Sequence, residues 1–163
     1  MKITIFTRPV RSGKTTELKN YIEKFSAVKK VGGILMPDEG DYRTILDIQT
    51  NEQSPIECLD TSTANKELVS VGRFHFYKDV FEKANDIIID AASTCDMIVI
   101  DEVGKLELEE KGLFRATKAL INDLSLSNDK RLLLVVRNSL LEKVIAYFEI
   151  KDYSCTTSIG TLL

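Results

Sequence analysis

Residues 2–18 read KITIFTRPVRSGKTTEL, and the reading of this stretch decides the fold. Residues 2–6 are an apolar run rich in Ile, the pattern of a buried strand. The chain then passes through Arg8, Pro9, Val10, Arg11 and Ser12 into Gly13-Lys14-Thr15-Thr16. Beyond the loop, Leu18, Tyr21, Ile22 and Phe25 recur at helical spacing and make one apolar stripe. Strand, loop and helix in that order hold a polyphosphate through successive backbone N–H groups and the positive end of the helix. In such a cradle, here residues 8–16, Lys14 reaches the β- and γ-phosphates and Thr15 offers its hydroxyl to Mg²⁺. The full motif asks for glycine where this chain has Arg8. Gly-Lys-Thr/Ser alone arises by chance in about 5–10% of chains of this length, so its weight comes from sitting where a buried strand meets a helix.

Working outward, residues 33–60 change character. Ile34–Met36, Thr44–Ile48 and Ile56–Leu59 are short strand-like runs, and Pro37-Asp38-Glu39-Gly40-Asp41 between the first two is hairpin chemistry. Gly32-Gly33 follows the end of the first helix at Lys29-Lys30. Val71–Tyr77 is a further extended segment. After it Val80, Ala84, Ile87, Ile88 and Ala91 line one face of a helix. A second apolar strand, Met97–Ile100, runs straight into Asp101-Glu102. A helix carrying Leu113, Thr117, Leu120, Ile121 and Leu124 follows, then a third apolar strand at Leu132–Val136. A helix over Leu140–Phe148 and a last strand at Tyr153–Thr156 complete the pattern. Apolar strands alternating with amphipathic helices predict a three-layer α/β domain over residues 1–163. Its sheet is mainly parallel, and the hairpin-rich segment 33–60 is an antiparallel extension of it.

With 163 residues, 44% of them hydrophobic, the chain can bury a proper core. Its net charge of −3 and the lack of a basic block argue against a nucleic-acid partner. The three cysteines, Cys58, Cys95 and Cys155, are widely spaced and include no CxxC, so neither a disulfide framework nor a zinc site is expected. No run reaches membrane-spanning length, and the expected compartment is a reducing cytoplasm. The oligomeric state has no signature here.

In parallel α/β sheets, ligands bind beyond the C-terminal ends of the strands. Asp101, at the end of an apolar strand, is placed to hold Mg²⁺ directly or through water. Glu102 is placed to polarise an attacking water, a contribution on the order of 10²–10⁴ in rate. Arg137 follows the Leu132–Val136 strand and Arg73 sits in the Val71–Tyr77 segment; both are candidates for stabilising charge on a transferring phosphoryl group. A surface arginine is the simpler alternative for each. Lys105 and Glu107 flank the Asp-Glu pair, with an ion pair or a turn as their simplest role. His75, between Phe74 and Phe76, reads as a partly buried structural ring.

Three blocks carry a family resemblance: Thr7–Thr16, Val71-Gly72-Arg73-Phe74, and Asp101-Glu102-Val103-Gly104-Lys105-Leu106-Glu107-Leu108. The chain resembles the THEP1-type nucleoside-triphosphatases, small P-loop NTPases with an added catalytic glutamate, and Gly32-Gly33 followed by a hairpin fits the same pattern. The resemblance implies the P-loop NTPase fold and Mg²⁺-dependent hydrolysis of nucleoside triphosphates with loose base preference. It departs from the family's loop at Arg8, usually glycine, and at Arg11, often glycine. Arg8 reshapes the loop mouth, adds a positive contact to phosphate, or points into solvent. Two other functions remain open: a small-molecule kinase, for which no long arginine-bearing lid is legible, and a nucleotide-binding adaptor that does not hydrolyse. A regulatory GTPase is disfavoured, because after Thr117-Lys118 the guanine-reading aspartate is replaced by Leu120.

Overall fold

In the computed structural model the described residues are 1–9, 14–123 and 129–161; the side chains of Arg8, Lys14, Thr15, Thr63 and Thr161 lie outside the description. The expected first strand is β1 (Lys2–Arg8), and the expected helix opens at Lys14 as α1 (Lys14–Ser26). Next come β2 (Val31–Leu35), β3 (Asp38–Glu39), β4 (Tyr42–Asp47), β5 (Gln53–Pro55), β6 (Leu68–Val71), β7 (Phe74–Tyr77) and α2 (Lys78–Thr94). The remainder is β8 (Met97–Val103), α3 (Lys105–Leu108), α4 (Phe114–Asn122), β9 (Arg131–Arg137), α5 (Leu141–Tyr147) and β10 (Tyr153–Thr156).

The main sheet runs in the order β10-β1-β9-β8-β2-β4-β3, with β5 on β4. From β10 to β2 every pairing is parallel, and β4 turns the sheet antiparallel. Alternation along the buried strands divides the core into two layers, as a sheet covered on both faces requires. Phe6, Val99, Leu133 and Val135 pack with the α1 stripe of Leu18, Tyr21, Ile22 and Phe25. Ile5, Ile98, Ile100, Leu132 and Leu134 face the other way, toward α2, α4 and α5 through Ile88, Ala116 and Val144. The three-layer expectation matches this arrangement.

Several local expectations need correction. β2 begins at Val31, so Gly32 and Gly33 lie inside it rather than ahead of the expected run at Ile34–Met36. Gly33 has φ +100°, and a Cβ there would meet the Val99 carbonyl oxygen at 2.1 Å. A Cβ on Gly32 would meet Cys95 Sγ at 2.7 Å and Ala91 Cβ at 2.8 Å. The glycine pair therefore lets β2 lie tightly between β8 and α2. Ile56–Leu59 is no strand: β5 precedes it, Ile56 is fully buried, and only Glu57 makes an isolated bridge, to Phe76.

Val71–Tyr77 is not one extended segment but the turn and second strand of a hairpin. β6 and β7 pair antiparallel around Gly72-Arg73, forming a two-stranded sheet of their own. Gly72 at φ +58° takes the first loop position, where tight hairpins demand a residue without a Cβ. The buried face of α2 is Phe81, Ala84, Asn85, Ile88 and Ala91, with Val80 and Ile87 only half-buried at its margin. None of the helices among the described residues is long and apolar enough to cross a membrane.

Candidate active site

Because β1, β9 and β8 are parallel, their C-terminal ends share one edge of the sheet, with β9 between the other two. Val136 of β9 pairs with Thr7 on one side and Val103 on the other, so the end of β1 and the end of β8 stand level. The segment Val10–Gly13 lies outside the described residues, as do the side chains of Arg8, Lys14 and Thr15. Pro9 and Thr16 are both exposed. The backbone nonetheless brings the start of α1 and the Asp101-Glu102 pair to the same edge, since α1 opens just beyond β1.

Asp101 and Glu102 belong to β8 itself. Ile100 pairs with Leu134 and Val103 with Val136, so β8 carries one residue more than β9 over this interval. That extra residue makes a bulge, a device that redirects side chains at functional edges. Glu102 takes φ +64°, a left-handed conformation that costs a residue with a Cβ about 1 kcal/mol or more. The two carboxylates end up in different surroundings. Asp101 is 1% exposed and its Oδ2 accepts the Met36 N–H at 3.0 Å, which ties the end of β8 to the end of β2. Glu102 keeps a side chain 27% exposed, and Arg137 Nη2 donates to its Oε2 at 3.0 Å. Arg137, expected on the ligand side, thus stands beside the proposed catalytic carboxylate.

A turn later, Glu107 is buried and works as a brace. Its Oε2 accepts the Gly104 N–H at 2.7 Å and its Oε1 the Leu113 N–H at 2.8 Å. Burial pushes its carboxyl pKa up, against the opposing pull of those N–H donors, and the nearby charge of Glu102 adds to the rise. The sequence suggested an ion pair or a turn; the turn is what forms. Lys105 is exposed. Thr7, at the end of β1, is 5% exposed, and its Oγ1 has no hydrogen-bond partner among the described residues.

The β6–β7 hairpin reaches the same edge. Arg73 lines a cavity of about 190 Å³ together with Glu102, Gly104, Lys105 and Arg137. Arg43, which the sequence reading missed, lines it too: its guanidinium lies 4.6 Å from the Phe74 ring centre and pairs with Asp38 at 3.4 Å. The Arg73 guanidinium lies 5.1 Å from that same ring centre. His75 is half-buried and hydrogen-bonded to Ser70 Oγ at 2.7 Å, a structural role. The usable signal for the hairpin was Gly72 between two alternating apolar runs; nothing local marks Arg43.

A divalent cation of the Mg²⁺ kind takes oxygen donors and keeps several waters. Among the described residues no cluster of three His, Cys, Asp or Glu could hold a metal. A single buried aspartate at a strand end fits a site completed by a hydroxyl, waters and phosphate oxygens rather than an all-protein cage.

Comparison with known proteins agrees with this geometry. A family model described as NTPase matches residues 3–158. The chain is 29% identical over 149 residues to the nucleoside-triphosphatase THEP1 of Methanosarcina barkeri, covering 85% of this chain and 80% of the relative. It is 32% identical over 124 residues to the protein of the same name from Korarchaeum cryptofilum, covering 72% of this chain and 61% of that one. The crystal structure of THEP1 from Aquifex aeolicus superposes with a TM-score of 0.73 over 97% of this chain and 91% of that one; at 17% identity, this likeness speaks to the fold alone. With nearly every residue inside the matched family model, and with its acidic pair at the sheet edge where α1 begins, the chain belongs to the NTPase family.

Proposed function

We propose that the chain hydrolyses nucleoside triphosphates to the diphosphate and phosphate, with Mg²⁺ and with loose choice of base. The observation that carries this reading is the bulge of β8, which sets a buried Asp101 and a solvent-reaching Glu102 across β9 from the end of β1. The backbone N–H groups of residues 8–16 and Lys14 bind the phosphates. Thr15 and Asp101 would hold Mg²⁺, which would supply positive charge to the phosphate oxygens. Glu102 aligns the attacking water and takes its proton as the new oxygen–phosphorus bond forms and the bond to the bridging oxygen breaks. Arg137 orients the Glu102 carboxylate and offsets negative charge beside it. Residues 1–163 act as one unit in a reducing cytoplasm, and no nucleic acid or membrane enters the reaction.

Phosphate release from each of the common nucleoside triphosphates, with Mg²⁺ and with a chelator, tests the reading. Glu102→Gln should slow release by about 10²–10⁴-fold while nucleotide binding persists. Unchanged turnover in that variant removes Glu102 from the mechanism. Tight binding with no phosphate release by the unaltered chain selects the adaptor instead.

A further inference from the structure

The cavity beside Glu102 is larger and more apolar than a seat for one attacking water needs to be. We propose that it is a phosphoryl-acceptor subsite for a small planar alcohol carrying an anionic group, so that the chain transfers phosphate as well as releasing it. The inference rests on the hydrolase reading above, because it uses the same nucleotide and the same Glu102.

Size and chemistry of the cavity point the same way. A void of about 150 Å³ accommodates benzene, and this one, at about 190 Å³ and open at the rim where Arg73 stands, has room for one ring with small substituents. Its apolar wall includes Met36, Phe74, Phe76, Phe81 and Leu140, the surface that a flat ring prefers. The charged lining is unbalanced. Four cations, Arg43, Arg73, Lys105 and Arg137, face two carboxylates, Glu102 and Glu107. Glu107 has both oxygens committed to backbone N–H groups, and burial favours its neutral form. Arg43 is paired with Asp38 and Arg137 with Glu102. Among the described residues neither Arg73 nor Lys105 forms an ion pair, which leaves two exposed cations at the rim. A ring against the aromatic wall with its anion at Arg73 would satisfy both surfaces at once.

The β6–β7 hairpin holds Arg73 at the cavity wall, where it meets the acceptor's anion. Its anchorage is firm. Tyr77 N–H donates to the Ile56 carbonyl at 2.9 Å, Cys58 N–H to the His75 carbonyl at 2.8 Å, and Ile56 N–H to the Arg43 carbonyl at 3.0 Å. Residues 56–58 therefore tie β7 to β4, and Arg43 and Arg73 are held around one ring. In the transfer step, the acceptor oxygen bonds to the γ-phosphorus as the bond from that phosphorus to the bridging oxygen breaks. The hydroxyl proton passes to Glu102, and the nucleoside diphosphate departs with the electron pair.

The test supplies the full chain with ATP, Mg²⁺ and ortho-, meta- or para-(hydroxymethyl)benzoate, with benzyl alcohol as the uncharged comparison. Phosphorus NMR reads ADP, free phosphate and any new phosphate monoester. At least one carboxylate isomer should give a monoester and ADP in excess of phosphate, whereas benzyl alcohol should not. Arg73→Ala should lower the ratio of transfer to hydrolysis about tenfold, with partial rescue by Arg73→Lys. ADP and phosphate appearing one to one with all three isomers overturns the subsite and leaves the hydrolase standing. Monoester from benzyl alcohol as readily as from the carboxylates overturns the anionic requirement. ATP left intact under every condition overturns both readings.

Discussion

The end of β8 and the β6–β7 hairpin lie on either side of one cavity, yet they are built on opposite plans. The end of β8 is contiguous in sequence and strained in structure: Asp101 and Glu102 occupy a bulge, and Glu102 is left-handed. The hairpin side is dispersed in sequence and relaxed in structure, with Arg43, Phe74 and Arg73 stacked together and residues 56–58 bonded on both flanks. The proposed chemistry falls where the backbone is least comfortable, and stability where the contacts are most distributed. Strain at a functional edge persists only if the surrounding structure over-determines it, and here the brace is Glu107 together with the Met36–Asp101 bond.

Glu102→Gly breaks the contrast most sharply. Hydrolysis should fall by about 10²-fold or more, while the unfolding free energy changes by no more than about 1 kcal/mol, because glycine relieves the left-handed strain as the half-exposed ion pair is lost. Steady-state phosphate release beside urea unfolding measures both. Gly33→Ala attacks the support beneath Asp101. Driving a Cβ into the Val99 carbonyl should cost about 4 kcal/mol or more, seen as a shifted urea midpoint or as failure to fold. Glu107→Ala strips acceptors from the Gly104 and Leu113 N–H groups and should cost about 3 kcal/mol.

Arg43→Ala, on the hairpin side, should cost only about 1 kcal/mol and leave phosphate release without an acceptor within about twofold, since no step of hydrolysis uses it. The smallest effect is one of pH. The carboxyl pKa of Glu107 lies above its ordinary value of 4.5 in the fold, so its proton-linked stabilisation is complete below about that pH and is lost as pH rises through the raised value. Glu107→Gln does not titrate. The stability difference between the two chains, followed by urea unfolding across acid to neutral pH, should shift steadily against the unaltered chain as pH rises.

What could be read from the sequence follows the same division. The strand and the helix on either side of residues 10–13, the placing of Asp101-Glu102 at a strand end and the apolar run at 132–136 are legible because each is local and each pattern is long enough to count. The parallel order follows from their alternation with helices. The bulge was not legible, since a one-residue excess depends on the register of β9, which no local pattern encodes. Gly32-Gly33 stood ahead of the strand run expected at Ile34–Met36; the cause of the pair is the close approach of Val99, Ala91 and Cys95, all distant in sequence. The cavity escaped for the same reason. Its lining is drawn from residues 36, 43, 71–74, 76, 81, 102–107, 137 and 140, and Arg43 becomes notable only once β4 lies beside the hairpin.

The placement of β9 has one more consequence. Two strand intervals of about 4.8 Å put roughly 10 Å between the chain that leads into the proposed phosphate-binding segment and the chain that presents the acidic pair. That gauge is maintained by five successive buried residues, Leu132–Val136, none of which takes part in a reaction. The active edge can therefore exchange its tip residues, and with them its chemistry, while an inert spacer keeps the jaws at one opening.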